Sequence, residues 1–290
     1  MDEKLLFERW CKEKERDFAD SSRIVYAAMW GNFVQHYMAR GKRLEHVDSA
    51  EIESFFNKQT WARNTAKRYF KLLDDILDHF AGTGMLKDNP AAALRRRFAY
   101  YEEARNPLIL APHQERALFD ALPPPTHWKR VRDAALVGLL FGGGLKLQEA
   151  IFLEVSHLNV DGDYPHVRVF KNGFFDREVP IFGMAVAYVR QWLLERRRRA
   201  FASTLAFPAN FSGTPLDRST VYRQVKAVFE RAGVEKEHKG AGLLRNSFGA
   251  RQLRQGTSLD TVRKWMGHKL EESTEPLRRQ VERQRRARPT

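Results

Sequence analysis

The chain has 290 residues, of which 43% are hydrophobic and 30% are charged, and its formal net charge is +14. A chain of this length can bury two domain cores, but no apolar run approaches the roughly 20 residues that span a bilayer, and the start lacks the pattern of a signal peptide. The single cysteine, Cys11, excludes an internal disulfide framework and a multi-cysteine metal site, so we expect a cytoplasmic globular protein without a cofactor.

Residues 1–105 are predicted to be helical and nearly neutral, with 19 Lys and Arg against 17 Asp and Glu. Serine, aspartate and threonine stand where helices should begin, because their side chains cap free backbone N–H groups. In the third helix, apolar residues recur at helical spacing from Tyr69 to Phe80. The predicted helices run from Ser21-Ser22 to about Arg40, around Ile52–Asn57 after Asp48, and from Thr65 to Gly82.

Two basic segments of this half have open interpretations. Lys67, Arg68 and Lys71 lie off the apolar face of the third helix, where they either contact phosphates or form a solvated face. A charged segment from Arg95 to Pro107 is either a basic linker between two domains or a solvated helix end.

The second half, residues 106–290, carries 31 Lys and Arg against 19 Asp and Glu, a net charge of +12. Such a polarised basic surface suits a polyanion, since each neutralised phosphate releases counterions. Alternation around Asn172-Gly173 predicts a β-hairpin. The predicted elements are helices at Pro112–Leu122 and Val131–Phe141, strands at Leu158–Val160, His166–Phe170 and Glu178–Ile181, and further helices beginning near Asp217-Arg218-Ser219 and Ser258.

Three segments carry a resemblance to a known family: GLKLQEA at residues 144–150, GTPLDRSTVYRQVKAVFERAGV at 213–234, and LLRNSFGARQLRQGTSLDTVRKWMGH at 243–268. In this order and at this spacing they resemble the tyrosine recombinases of the phage-integrase and Xer class. The segment NTAKRYFKLLDDILDHFAGTGMLKDNPAAAL similarly resembles the helical core-binding domain that precedes the catalytic domain in that family. The resemblance implies a mainly α protein with a small antiparallel β-sheet. Its parts would be a helical core-binding domain (1–105), a catalytic-type α+β domain (106–277) and a basic C-terminal tail (278–290).

The resemblance also implies a set of site residues. Arg245 and His268 stand where the family has a phosphate-binding arginine and histidine, and Lys171 is a plausible hairpin lysine, although lysine is common at exposed hairpin ends. Lys146 occupies the position of the family's first arginine, so it keeps the charge but loses the planar fork. Gly242 occupies a histidine position, and His238 has the wrong spacing to replace it. Arg218 and Arg223 are added as candidate DNA contacts.

The nucleophile position is the most informative one. The family's tyrosine lies nine residues after the histidine, and here that residue is Leu277. No tyrosine follows Tyr222, and Ser273 and Thr274 are poor substitutes without an evident base. With Lys146 and Gly242, three of six catalytic positions are altered, so we expect a protein that holds DNA without cutting it.

We therefore predict a catalytically inactive, duplex-DNA-binding clamp that serves a mobile element or plasmid in recombination, replication, partition or regulation. Two alternatives remain open: a divergent strand-transfer enzyme with another nucleophile, and a subunit that self-associates on DNA or joins an active recombinase. The tail after Leu277, with six arginines in 13 residues, is expected to dock on a neighbouring protomer or to form a flexible DNA-binding arm.

Overall fold

A computed structural model describes residues 3–13, 18, 20–99, 106–236 and 239–286. The protein is mostly helical with one three-stranded antiparallel sheet, which confirms the predicted fold class. The chain divides into two compact units, Met1–Ala104 and Arg105–Thr290, each with its own apolar core. Within the described ranges, no helix combines the length and apolar character needed to cross a bilayer.

The first unit is a helical bundle around an aromatic core that includes Trp30, Phe33 and Phe55. Its longest helix begins at Arg63, two residues before the predicted Thr65, and ends at Gly82 as expected. Asp48 caps the helix that follows it by accepting a hydrogen bond from the backbone N–H of Glu51 at 2.8 Å. The helices of this unit are α1 (Glu3–Glu13), α2 (Asp20–Met38), α3 (Ser49–Asn57), α4 (Arg63–Gly82) and α5 (Arg95–Ala99).

The first five residues of the basic segment, Arg95–Ala99, form helix α5. Arg95 donates hydrogen bonds to the carboxylate of Asp74 on α4, with Nε 2.9 Å from Oδ2. Arg97 forms an ion pair with Glu53 on α3. These contacts hold the basic run to the first unit, in agreement with the alternative of a solvated helix end. Residues 100–105 lie outside the described part of the chain.

The second unit is organised around a helix that is buried along most of its length. This helix, α7 (Trp128–Gly142), packs against α9 (Ala185–Arg197) and α11 (Ala241–Arg254). Asp217 and Ser258 cap the helices that follow them, as predicted. The other elements are α6 (Pro112–Asp120), α8 (Leu147–Ile151), β1 (Leu158–Asn159), β2 (His166–Lys171), β3 (Phe174–Pro180), α9 (Ala185–Arg197), α10 (Arg218–Arg231), α11 (Ala241–Arg254), α12 (Leu259–Met266) and α13 (Glu275–Arg286).

The predicted hairpin is present and joins β2 to β3 through Asn172 and Gly173. Both residues have positive φ, 51° and 81°, as the tight hairpin turn requires. Strand β3 begins at Phe174, earlier than the predicted Glu178, because Phe174 pairs directly with Lys171 across the turn. The sequence pattern concealed this start, since the residues next to the turn do not alternate between apolar and polar.

The basic tail is not a flexible arm over most of its length. Residues Glu275–Arg286 form helix α13, which packs against α11 of the same chain. Leu277 and Val281 lie one helical turn apart and are both buried. Residues 278–286 therefore belong to the second compact unit. Residues 287–290 lie outside the described part of the chain.

Candidate functional site

The candidate site forms where four segments of the second unit meet. The loop between α7 and α8 supplies Lys146, and α8 supplies Glu149. Helix α11 supplies Arg245, and His268 follows the end of α12. The fold thus brings together Lys146, Arg245 and His268, which the sequence places up to 122 positions apart.

Arg245 connects two of these segments. Its guanidinium donates hydrogen bonds to the carbonyl oxygens of Gly144, before α8, and Met266, at the end of α12. Those bonds use two of the five N–H groups of a guanidinium. Burial lowers the pKa of Arg245 to about 10, so the side chain is still charged at neutral pH. Both of these hydrogen-bond partners are backbone carbonyl groups.

A second arginine, Arg177 on β3, was missed in the sequence analysis. It connects β3 to helices α8 and α12 of the site. Its terminal nitrogens lie 3.1 and 2.8 Å from the two carboxylate oxygens of Glu149, and its Nε donates to the carbonyl of Trp265 at 2.7 Å. Arg177 is buried on the same face of β3 as Val179, and the buried Ile181 continues this alternation just after the strand. That alternation is the signal that could have identified it, because an arginine on a buried strand face needs an internal partner.

Glu149 binds Arg177 and also caps the start of α8. Its Oε2 accepts a hydrogen bond from the backbone N–H of Lys146 at 2.8 Å, and Oε1 lies 3.5 Å from the Lys146 ammonium. Burial raises the pKa of this carboxyl, but the hydrogen bond and charge of Arg177 outweigh burial and lower the pKa overall. Glu149 is therefore ionised at neutral pH, and Lys146 remains half exposed beside it.

His268 follows Gly267, a position whose backbone conformation and surroundings suit only glycine. Gly267 ends α12 with φ of 59°, and a Cβ atom at this position would lie 2.7 Å from Nη1 of Arg177. The His268 ring nitrogen Nδ1 is 2.8 Å from the hydroxyl of Thr274. Burial lowers the pKa of His268 to about 4, assisted by the positive charges of Arg245, Lys146 and Arg177. The imidazole is thus neutral at pH 7.

Gly242 leaves its position open. It is the second residue of α11 and is exposed, and a Cβ atom built on it would meet nothing within 4 Å. The position that holds a histidine in the family therefore has room for a side chain but offers no proton donor. His238 lies outside the described residues.

Leu277 is a core residue of α13. It is 2% exposed, and its Cδ1 atom approaches the backbone of Gly249 on α11. Thr274 is completely buried, whereas Ser273 is exposed. The expectation that no base serves these hydroxyls is wrong for Thr274, because His268 lies within hydrogen-bond distance of it. Burial nevertheless keeps the Thr274 hydroxyl away from any external phosphate.

A cleft of about 760 Å³ opens beside the site, between the hairpin and the end of α12. Lys146 and Lys171 line it together, as does Lys269, which the sequence analysis did not single out. Two carboxylates, Glu149 and Asp176, also line the cleft, but each accepts a hydrogen bond from Arg177. The lysines therefore leave this cleft positively charged.

The remaining candidate DNA contacts lie elsewhere. Arg218 and Arg223 are exposed on α10, where Arg223 donates to the hydroxyl of Thr220 at 3.1 Å. In the first unit, Lys67 is half-buried, and the exposed Arg68 guanidinium lies over the rings of Tyr26 and Tyr69. Lys71 is exposed and lies 3.5 Å from Asp75.

Comparison with known sequences supports the resemblance. The sequence model described as "Phage integrase family" matches residues 109–279, more than half of the chain. Tyrosine recombinase XerD of Vibrio cholerae serotype O1 is 24% identical over 260 residues, which cover 88% of this chain and 84% of the relative. XerD of Lacticaseibacillus casei is 26% identical over 259 residues, covering 88% and 86%.

Solved structures share the fold. The XerH site-specific recombinase in its post-cleavage complex with a palindromic difH substrate has a TM-score of 0.80 at 19% identity, covering 96% of this chain and 81% of that one. A lambda integrase dimer bound to a COC′ core site has a TM-score of 0.67 at 18% identity, covering 94% of each chain.

Proposed function

This chain belongs to the phage integrase family, and from that membership we propose that it is a member that binds duplex DNA without cutting it. The observation that carries the proposal is the burial of Leu277, at the position expected for the nucleophilic tyrosine. A leucine side chain has no atom that attacks phosphorus. In this proposal the protein retains the fold and its phosphate-binding cations and has lost strand cleavage.

Binding to DNA is supported by the charges around the site. Lys146, Lys171 and Lys269 line one cleft. The buried Arg245 interacts electrostatically with Glu149 of that cleft and has guanidinium N–H groups in addition to those bound to carbonyls. Phosphate contacts of this kind supply affinity without reading the base sequence. Relatives of this fold have been solved in complex with DNA, among them XerH and lambda integrase.

Loss of cleavage is supported by three separate changes of chemistry. Strand cleavage needs an in-line nucleophile, cations on the non-bridging oxygens and an acid for the leaving 5′ oxygen. Leu277 removes the nucleophile, Gly242 removes a proton donor, and Lys146 replaces a bidentate arginine with a point charge. Of the two nearby hydroxyls, Thr274 is the one that His268 contacts, and it is fully buried, whereas Ser273 is exposed.

The role of such a protein would be that of an accessory or site-binding factor in the cytoplasm. It would occupy DNA sites of a mobile element or plasmid and act in recombination, replication, partition or regulation. Association with itself on DNA, or with an active recombinase, is compatible with this role. Co-purification with a tyrosine-bearing partner would distinguish the heteromeric form.

DNA binding is tested with the salt dependence of affinity for a linear duplex. Lys171→Gln, in the cleft, should reduce the slope of log K against log salt concentration by about 0.9, the value of one lost phosphate contact. Lys129→Gln, on an exposed lysine at the start of α7, is the matched control and should leave the slope unchanged. Equal slopes for the two variants and the unmodified protein would contradict a phosphate-binding cleft.

Loss of cleavage is tested with suicide duplexes that trap covalent protein–DNA adducts. We expect no adduct and no nick from the unmodified protein at any concentration that saturates the duplex. An adduct that Ser273→Ala or Thr274→Val abolishes would establish the alternative, a strand-transfer enzyme with a nucleophile other than tyrosine.

A further inference from the structure

The tip of the β2–β3 hairpin exposes three phenylalanine side chains. Phe174 is 78% exposed, Phe175 58% and Phe170 37%. Burying an aromatic ring stabilises a folded protein, so three exposed rings at one turn forgo that stabilisation. Contiguous exposed apolar surface of this kind marks a binding surface more often than chance exposure does.

A β-bulge in strand β3 directs these rings away from the core. Val169 pairs with Arg177, but the next pair is Phe170 with Phe175, so Asp176 is an extra residue that forms a β-bulge. Without the bulge, Phe175 would lie on the same face as the buried Arg177 and Val179. The bulge instead turns Phe175 towards Phe170, and the two rings meet edge to face with centroids 5.9 Å apart.

The base of this aromatic group is supported from the side. The ring of His157 stacks on Phe170, with centroids 4.3 Å apart and planes 23° from parallel. The two-residue turn at Asn172 and Gly173 leaves the hairpin little freedom. Phe174 is thus the most exposed side chain of a short and well-supported projection.

The charge around the hairpin tip selects its partner. Lys171 precedes the turn and pairs across it with Phe174. Phe170 lines the same cleft as Lys171, Lys146 and Lys269. An apolar projection beside several lysines suits a partner that combines negative charge with flat apolar surfaces. Duplex DNA offers phosphates and, where a base step opens, the flat faces of its base pairs.

We propose that the hairpin acts as an aromatic wedge that inserts Phe174 between base pairs of bound duplex DNA and kinks it, while Phe170 and Phe175 brace the inserted ring. The inference rests on the proposed function and deepens it, since it states what the protein does to the DNA that it holds. Insertion costs base stacking, and the bend brings more phosphates within reach of the cleft lysines.

The test uses a linear duplex that contains spaced TA steps and carries a dye at each end. Energy transfer between the dyes reports bending, and permanganate reactivity reports unstacked thymines. Phe174→Ala should abolish the bend and the reactivity and weaken binding about five-fold or more. Phe174→Leu should retain part of both signals, because leucine is also an apolar wedge. Lys171→Gln should weaken binding but leave the bend of the bound complex intact.

Tyr164→Ala is the matched control, an exposed aromatic residue at the other end of the same sheet, and should bend DNA as the unmodified protein does. An unchanged bend with Phe174→Ala would overturn the wedge. If Phe174→Ala also lost self-association in sedimentation while the bend stayed unchanged, the hairpin would be a contact between protein molecules and the wedge would again be overturned. Failure of the unmodified protein to bind any duplex would sink both proposals, whereas binding without a Phe174-dependent bend sinks only this one.

Discussion

Leu277 on α13 packs directly against Gly249 on α11. A Cβ atom at position 249 would lie 2.9 Å from Cδ1 of Leu277 and 2.5 Å from the sulfur of Met266. The two helices approach this closely because position 249 has no side chain. The position where the family carries its nucleophile is therefore part of the hydrophobic core in this protein, and its side chain cannot reach a bound phosphate without leaving the core.

Restoring a tyrosine should not restore cleavage. Leu277→Tyr places a larger ring with a hydroxyl in a packed core, where overpacking costs about 1–3 kcal/mol. We expect a lower thermal midpoint and no covalent adduct on suicide duplexes, even in the triple variant that adds Lys146→Arg and Gly242→His. Gly242→His alone is the control and should leave the midpoint unchanged, since its Cβ meets nothing within 4 Å. An adduct from Leu277→Tyr alone would show that the position is reachable after all.

The glycine should tolerate substitution poorly. Gly249→Ala brings a methyl group into contact with Met266 and Leu277, and we expect a loss of about 1–3 kcal/mol in the free energy of unfolding. Urea denaturation measures this loss. The control is Gly31→Ala, because Gly31 lies within α2 and has open space around it. Gly256 is less suitable, because its φ of 92° would add backbone strain to an alanine. Equal losses for Gly249→Ala and Gly31→Ala would contradict the packing explanation.

The pair of Glu149 and Arg177 should contribute strongly to stability. Glu149→Gln leaves the buried Arg177 with Asp176 as its remaining charged partner, and breaking a buried pair costs about 3–5 kcal/mol. The pKa of Glu149 lies below its ordinary value of 4.5, so its contribution is present above that pH and is lost as the pH falls through the folded-state pKa. The difference in unfolding free energy between the two proteins should therefore shrink on acidification.

The matched control for this prediction is Arg278→Gln. Arg278 pairs with Glu275 and Glu282 at the surface, so its loss should leave the denaturation midpoint close to that of the unmodified protein. A midpoint for Glu149→Gln that matches the control would mean that the buried pair contributes nothing.

Local signals in the sequence predicted much of this fold. The caps at Asp48, Asp217 and Ser258 and the turn at Asn172-Gly173 depend on residues within a few positions of each other, so the sequence pattern contains all of the required information. Some of the residues of the candidate site were also predicted. The resemblance assigned Arg245 and His268 to the site, and the structure brings them together with Lys146.

Relationships between distant residues were not predictable in the same way. The ion pair of Arg177 with Glu149 joins a strand to a helix that precedes it by 28 positions, and nothing local to either residue specifies the partner. Helix α13 was missed because its strongly basic composition outweighed the two apolar residues, Leu277 and Val281, that bury it. The spacing of four between these two residues was the available signal for a helix. Their burial against α11 is what stabilises that helix.

The protonation of His268 gives a direct test of whether DNA phosphate occupies the site. In the free protein its pKa is about 4, lower than the ordinary 6.5, mainly because of burial and then because of nearby positive charges. The folded state therefore binds fewer protons than the unfolded state between these values, and this part of the stability is lost as the pH falls from about 6.5 to about 4. A phosphate placed against Arg245 and Lys146 would stabilise the imidazolium and raise the pKa.

We expect the His268 imidazole resonances, followed by NMR in histidine-labelled protein, to titrate at higher pH when a saturating duplex is present. Lys146→Gln in the free protein should shift the titration in the same direction, because it removes one of the charges that lower the pKa. This variant calibrates the size of an electrostatic change at the site. A His268 titration that moves with Lys146→Gln but not with DNA would show that the duplex binds elsewhere and that the former catalytic centre no longer holds phosphate.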